Sequence, residues 1–483
     1  MIPARADRKP TYRGRARVRL LDYDAPPHEM FASLAHRPGA VFLDSSLIDR
    51  YGLGRWSFIV YDPLFLISSR DDSSAFRIGA RLKWEQANPL LTLRRSLGLF
   101  TVEGDPSWIP FRGGAVGFLA YELGRQLERL PATVEDDLNL PESCFGFYDT
   151  VLAYDHIMEQ WFICHIDFRL KRPDFDARLR EVKIMVAKAR QKKPGPVAIK
   201  TRGLNSNFQR KDYLAAIGRA KDYIRAGDIY QVNLSQRFSA VVDQGSAWDL
   251  YLRLRQTNPA PFAAFLQAGP FQVLSSSPER FLAVRGDRVE TRPIKGTRPR
   301  GRTPEEDEAL AQELLRSEKD GAELAMIVDL ERNDLGRVCS YGTVRVSRPK
   351  ALESFPTVHH LVATVEGALH GGCDNVDLLR ATFPGGSITG APKVRAMQII
   401  DELEPTRRSV YTGAAGYIGF DGDMDLNIVI RTFLVRGDRA WFQVGGAIVA
   451  DSQPESEYDE TGHKARALIE AVSGCAKVMP ISP

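Results

Sequence analysis

Short runs of β-branched and aromatic residues, cut apart by turn-forming residues, recur along this chain and limit the folds open to it. Ala40-Val41-Phe42-Leu43, Trp56-Ser57-Phe58-Ile59-Val60-Tyr61 and Leu64-Phe65-Leu66-Ile67 are separated by Gly, Pro, Asp and Ser, so strands dominate the N-terminal part. Val18 to Leu21 reads as an opening strand, and Val151 to Tyr154 with Trp161 to Ile166 as a hairpin. Strands return at Ile229 to Leu234, Phe262 to Leu266, Gly413 to Phe420, Leu426 to Leu434 and Ala440 to Val444. Helical patterns are fewer. Arg178 to Lys192 is basic and helix-compatible, and Pro194-Gly195-Pro196 ends it. Arg210 to Ala226 places Tyr213, Ile217, Ala220 and Ile224 at helical spacing. Thr303-Pro304-Glu305-Glu306 opens an acidic helix with a threonine cap and proline in the first turn, and Thr389 to Leu403 forms another. Helices among many antiparallel-looking strands indicate the α+β class. A linker over 193–208 separates a region 1–192 from a region 209–478.

With 483 residues, 43% of them hydrophobic, the chain can bury a core of two or three folding units or one large intertwined domain. A net charge of +4 gives no support to a nucleic-acid partner. Arg5, Arg8, Lys9, Arg13, Arg15, Arg17 and Arg19, against Asp7 alone, read as a solvated basic tail, because no apolar signal segment follows. Cys144, Cys164, Cys339, Cys373 and Cys475 are odd in number and lack metal-ligand spacing, the pattern of a reduced, cytoplasmic protein. No apolar run approaches a membrane span.

Lys295 lies in Pro293-Ile294-Lys295-Gly296-Thr297-Arg298-Pro299-Arg300, a short, rigid segment flanked by cations. Stripping water from a lysine penalises its charged form, and only the neutral amine is a nucleophile. The competing reading is a surface lysine in a basic loop. Glu279, in Ser275-Ser276-Ser277-Pro278-Glu279-Arg280-Phe281, follows an apolar run and suits a general acid if burial raises its pKa. Glu457, Glu460 and Lys464 fall at i, i+3 and i+7 on one helical face. Two carboxylates there suit a hard divalent cation; the alternative is an exposed helix stabilised by a Glu460–Lys464 pair. Gly385 to Lys393 lacks the terminal Gly-Lys-Ser/Thr of a phosphate loop and reads as a tight turn into a helix whose N-terminus suits an anionic group.

Together with Met326 to Val338 and Asp451 to Thr461, these segments resemble, in order, the chorismate-utilising enzymes: anthranilate synthase, aminodeoxychorismate synthase, isochorismate synthase and salicylate synthase. The resemblance spans about residues 205–475. It implies two large antiparallel sheets packed in a layered core with helices outside. It implies Lys295 and Glu279 as the catalytic pair, and Glu323 and Glu460, with Glu457 beside them, as magnesium ligands. Asp320, one turn before Glu323, is a further candidate. Arg431 and Lys464, the glycine turn Gly445-Gly446, Thr297, His360 and Tyr411 match positions that bind the dicarboxylate substrate, although His360 is equally a structural histidine. Ala447 replaces a usual glycine and is strained if that position needs positive φ. Ser45, Arg55 and Pro261-Phe262-Ala263 match tryptophan-contacting positions, so the N-terminal region resembles an effector pocket.

Two positions discriminate within the family. Members that add water to chorismate carry a lysine base where this chain has Gln231, and anthranilate synthases typically have alanine at the position of Lys295. The combination resembles the aminodeoxychorismate synthase branch, which makes 4-amino-4-deoxychorismate for 4-aminobenzoate and folate synthesis. Anthranilate synthase activity and a non-catalytic chorismate- or glutaminase-binding relative are the alternatives. No cysteine lies in a glutaminase elbow, so ammonia comes from solution or from a separate glutaminase subunit in a heterodimer.

Overall fold

The computed structural model describes residues 10–48, 52–104, 108–191, 198–355 and 358–473; Arg5, Arg8, Lys9, Pro194-Gly195-Pro196 and Cys475 lie outside the described residues. Among those described, the strands gather into two sheets of thirteen and twelve, antiparallel except where Tyr12–Leu21 runs parallel to Phe100–Glu103. The first sheet runs Lys200–Ser206, Gln231–Gln244, Arg439–Ile448, Thr432–Arg436, Gln272–Ser277, Phe262–Gln267, Val41–Asp44, Trp56–Val60, Thr150–Asp155, Gln160–Asp167, Tyr12–Leu21 and Phe100–Glu103. The second begins Ile294–Pro299, Val358–Ala368, Arg288–Arg292, Arg280–Arg285, Met424–Ile428, Ala414–Gly419 and Gly114–Leu119, and ends at the edge strand Arg81–Gln86. Strands from both sides of residues 193–208 are neighbours in each sheet, and Lys200–Ser206, inside the segment read as a linker, is itself a strand.

Alternating apolar residues give each sheet an inner face, where Phe58, Phe111, Val116, Phe118, Val273 and Tyr417 pack together. On the outside, Ala247–Thr257 and Pro454–Ser473 cover the first sheet, and Glu318–Gly336 and Asn375–Thr382 the second. The α+β, two-sheet architecture is therefore the one expected. Thr303 caps Pro304–Arg316 by accepting from the Glu306 amide, as its sequence indicates.

Three local expectations change. Leu426 to Leu434 is not one strand: Met424–Ile428 belongs to the second sheet and Thr432–Arg436 to the first. The helix expected from Thr389 starts at Lys393, because Gly390–Ala391 pairs with Gln231 and Val232. Gly445 and Gly446 form no turn; they lie within Arg439–Ile448, where Ala447 pairs with Asn233 without positive φ.

A buried ion pair ties the first sheet to the loop after Lys393–Leu403. Arg408 meets Glu404 at 2.6 Å with both side chains almost wholly excluded from solvent, and it also donates to Asn233 O at 2.7 Å and Ile388 O at 3.1 Å. Arg408→Met strands the Glu404 carboxylate, so urea unfolding should show a loss of about 3–5 kcal/mol.

Candidate active site

The chain passes between the sheets at two adjacent places, and hydrogen bonds hold these crossings together. Ser275, Ser276 and Ser277 end a strand of the first sheet and are fully buried. Ser275 accepts from Thr432 Oγ1 at 2.8 Å, Ser276 donates to Asn258 O, and Ser277 donates to Ile428 O at 2.6 Å. After Pro278 the chain enters the second sheet, leaving Glu279 at the junction. The return crossing, Val429 to Arg431, puts Arg431 at φ +50°. Ile428 N donates to Glu279 O at 3.0 Å and Ser276 N to Arg431 O at 3.1 Å.

Glu279 is buried, and burial raises its pKa; Oε1 accepts from Ser387 Oγ at 2.6 Å and from Ile294 N at 3.3 Å. Lys295, on the edge strand Ile294–Pro299, is equally buried and donates to Ser387 O at 3.0 Å. Burial lowers its pKa, and Lys464 reinforces the effect while Glu323 and Glu279 oppose it. A surface lysine is excluded. Burial thus disfavours the charged form of each group.

Positive charge converges on the same place. Burial lowers His360 to about 3, with Arg431 and Lys464 adding to the shift. The ring is neutral at physiological pH. Its Nδ1 meets Thr297 Oγ1 at 2.9 Å, and its buried Nε2 has no protein partner. Arg431 Nη1 donates to Asn258 Oδ1 at 3.0 Å, and Lys464 Nζ to Gly445 O at 3.0 Å. Tyr411 lies further back, its ring centroid 5.8 Å from the Arg408 guanidinium carbon. Gln231 is fully buried, and neither end of its amide has a protein partner.

Glu323, Glu457 and Glu460 face this region from two helices, Glu318–Gly336 and Pro454–Ser473. Burial raises Glu323 and Glu457, and the two carboxylates repel each other; Lys464, at 2.7 Å, lowers Glu460. Glu460 and Lys464 thus form the pair on one helical face. Among the described residues no three His, Cys, Asp or Glu side chains converge closely enough to hold a metal as they stand. Gly446 brings no side chain against them: a Cβ there would lie 3.5 Å from Glu457 Oε2 and 3.9 Å from Glu460 Oε1. Hard oxygen donors of this type suit a divalent ion. Asp320 instead accepts from Arg298 at 3.2 Å.

The remaining expected residues gather elsewhere. Ser45, Arg55, Pro261, Phe262 and Ala263 line a cavity of about 300 Å³ between the sheets. Arg55 is paired with Asp155 at 2.6 Å. Arg280, the neighbour of Glu279, lines the same cavity and is held by Asp425 and Glu290. Sequence reasoning missed Ser387, Asn233 and Asn258 as parts of the site. Ser387 and Asn233 stood inside motifs already singled out, but nothing local distinguishes their side chains.

Such a fold and site define the chorismate binding enzymes, whose profile matches residues 50–470, and the chain belongs to that family. It is similar to aminodeoxychorismate synthase component 1 of Bacillus subtilis (strain 168), 40% identical over 426 residues covering 87% of this chain and 89% of that protein. Anthranilate synthase component 1 of Thermus thermophilus is 46% identical over 376 residues, 77% of this chain and 80% of that one. Anthranilate synthase component I from Streptococcus pneumoniae TIGR4 shares the fold with a TM-score of 0.75 at 34% identity, covering 85% of this chain and 91% of the other. No described helix is long and apolar enough to cross a membrane.

Burying Lys295 works against stability. The folded state binds its proton less tightly than the unfolded chain, so the cost is full below the lowered pKa and fades as pH rises toward the ordinary value of 10.5. Lys295→Met should therefore raise the melting temperature at neutral pH, with the gain shrinking as pH approaches that value. Scanning calorimetry across the range checks both the sign and the trend.

Proposed function

We propose that this chain aminates chorismate at C4 to give 4-amino-4-deoxychorismate. One observation carries the reading: the buried Lys295 amine and the Glu279 carboxyl are anchored on opposite ends of the same residue, Ser387. Neutral Lys295 attacks C2, the ring double bond shifts, and Glu279 gives its proton to the C4 hydroxyl, which leaves as water. Ammonia then adds at C4, the double bond shifts back, and the Lys295–C2 bond breaks; the proton released by the new amine returns to Glu279. Two allylic displacements leave the amine para to the ring carboxylate.

Arg431, Lys464, Thr297, His360 and Tyr411, with the backbone at Gly445 and Gly446, complement the two substrate carboxylates. Glu323 and Glu460, with Glu457 beside them, are the residues that would hold a magnesium ion, which would supply charge neutralisation for the ring carboxylate. Gln231 offers no base, so hydration to isochorismate has no support. Ammonia comes from a separate glutaminase subunit, in keeping with the relatives' designation as component 1. The cavity at Ser45 and Arg55 suits tryptophan. The Thermus relative supports anthranilate synthesis as a second reading, with Lys295 the residue that argues against it.

Incubation with chorismate, magnesium and an ammonium salt should give 4-amino-4-deoxychorismate, identified by mass and retention; anthranilate would favour the second reading, and isochorismate would overturn both. Glu279→Gln should lower the rate on the order of 10²-fold or more, as for loss of a general acid. Chelation should abolish turnover, and Glu460→Gln should weaken magnesium binding in calorimetry; unchanged binding would remove Glu460 from the ligand set.

A further inference from the structure

The segment Gly385 to Thr389 is clamped from every side. Gly386 N donates to the buried Glu331 Oε1 at 3.0 Å, and Thr389 Oγ1 to Gly385 O at 2.9 Å. Asn233 N donates to Thr389 O at 2.8 Å, and Arg408 Nη1 to Ile388 O at 3.1 Å. A Cβ on Gly386 would sit 2.6 Å from Leu330 Cδ2, so any side chain there would have to displace the leucine. A short 3-10 turn, Gly386–Ile388, is thus a rigid platform, and Ser387 is its centre.

We propose that Ser387 is a positioning residue for the amination, fixing which oxygen of Glu279 carries the acidic proton and where the lone pair of Lys295 points. The inference rests on the reading of Glu279 as acid and Lys295 as nucleophile. Its hydroxyl is buried and donates to Glu279 Oε1, which also receives the Ile294 amide. An oxygen already facing two donors has no room for a proton, so the acidic hydrogen sits on Oε2. At the other end, Ser387 O accepts from Lys295 Nζ and from Asn233 Nδ2, each at 3.0 Å. Both acceptor positions of the carbonyl are then taken. One N–H of the amine is anchored on the turn, which turns its lone pair away from the turn. A single residue thus registers the acid against the nucleophile before substrate arrives.

Ser387→Ala separates the two contacts, because the carbonyl that holds Lys295 remains while the hydroxyl on Glu279 is lost. We expect kcat to fall about tenfold to a hundredfold, the range for one hydrogen bond to a charged group, with KM for chorismate within about twofold of wild type. The hydroxyl favours the carboxylate form of Glu279, so its removal makes the acid hold its proton to higher pH. The alkaline limb of kcat against pH should move upward, and Ser387→Thr, which keeps the hydroxyl, should restore both rate and limb. A wild-type kcat and an unmoved limb in Ser387→Ala would overturn the proposal. So would a rate loss that comes with a raised KM and no shift of the limb, the behaviour of a structural contact. Thermal unfolding checks that each variant is folded. Should the alanine variant not fold, Ser387→Cys carries the same expectation at smaller amplitude, because a thiol is the weaker donor. Failure of the functional reading is seen separately: the wild-type protein would then give no C4-aminated product before any variant is compared.

Discussion

The paired crossing of the chain between its two sheets is the constraint on which the site depends. A strand that leaves one hydrogen-bonded sheet for another exposes backbone donors and acceptors in the interior, where an unmet group costs about 1–3 kcal/mol. Ser276 and Ser277 meet that demand with hydroxyls that donate to Asn258 O and Ile428 O, and the second crossing meets it with the backbone of Ile428 and Arg431. The left-handed conformation of Arg431 costs about 1–3 kcal/mol in its own right, and it persists because the flanking strands are held in different sheets. Glu279 and Arg431 therefore both sit at the junction where the chain changes sheets.

Charge is sorted around that junction. Lys295, Lys464 and Arg431 reach it from the strands and the last helix, while Glu323, Glu457 and Glu460 stand on the helices that flank it. In a buried setting the ordinary charges of Lys295 and Glu279 are both disfavoured. The same burial leaves His360 Nε2 and the Gln231 amide without protein partners, and such groups are paired in most folded proteins.

The cavity between the sheets connects to this chemistry by one residue. Glu279 faces the site, and Arg280, locked by Asp425 and Glu290, faces the cavity lined by Ser45 and Arg55.

Much of this was legible in the sequence. The strand runs, the cap at Thr303 and the periodic helix Arg210–Arg225 depend on neighbours a few residues away, so local pattern determines them. The chemical types at Lys295, Glu279, Arg431 and Glu460 were equally plain. What local pattern does not contain is pairing. Leu426 to Leu434 reads as one apolar run, yet its halves belong to different sheets, because strand partners and not composition decide where a ladder ends. Ser387 meets Glu279 across 108 residues of sequence and Lys295 across 92, contacts that exist only once both sheets are assembled. The sequence by itself determined which groups this protein carries and the local elements that bear them. The tertiary structure alone decided which groups are dehydrated and face one another, since burial and register are properties of the packed sheets.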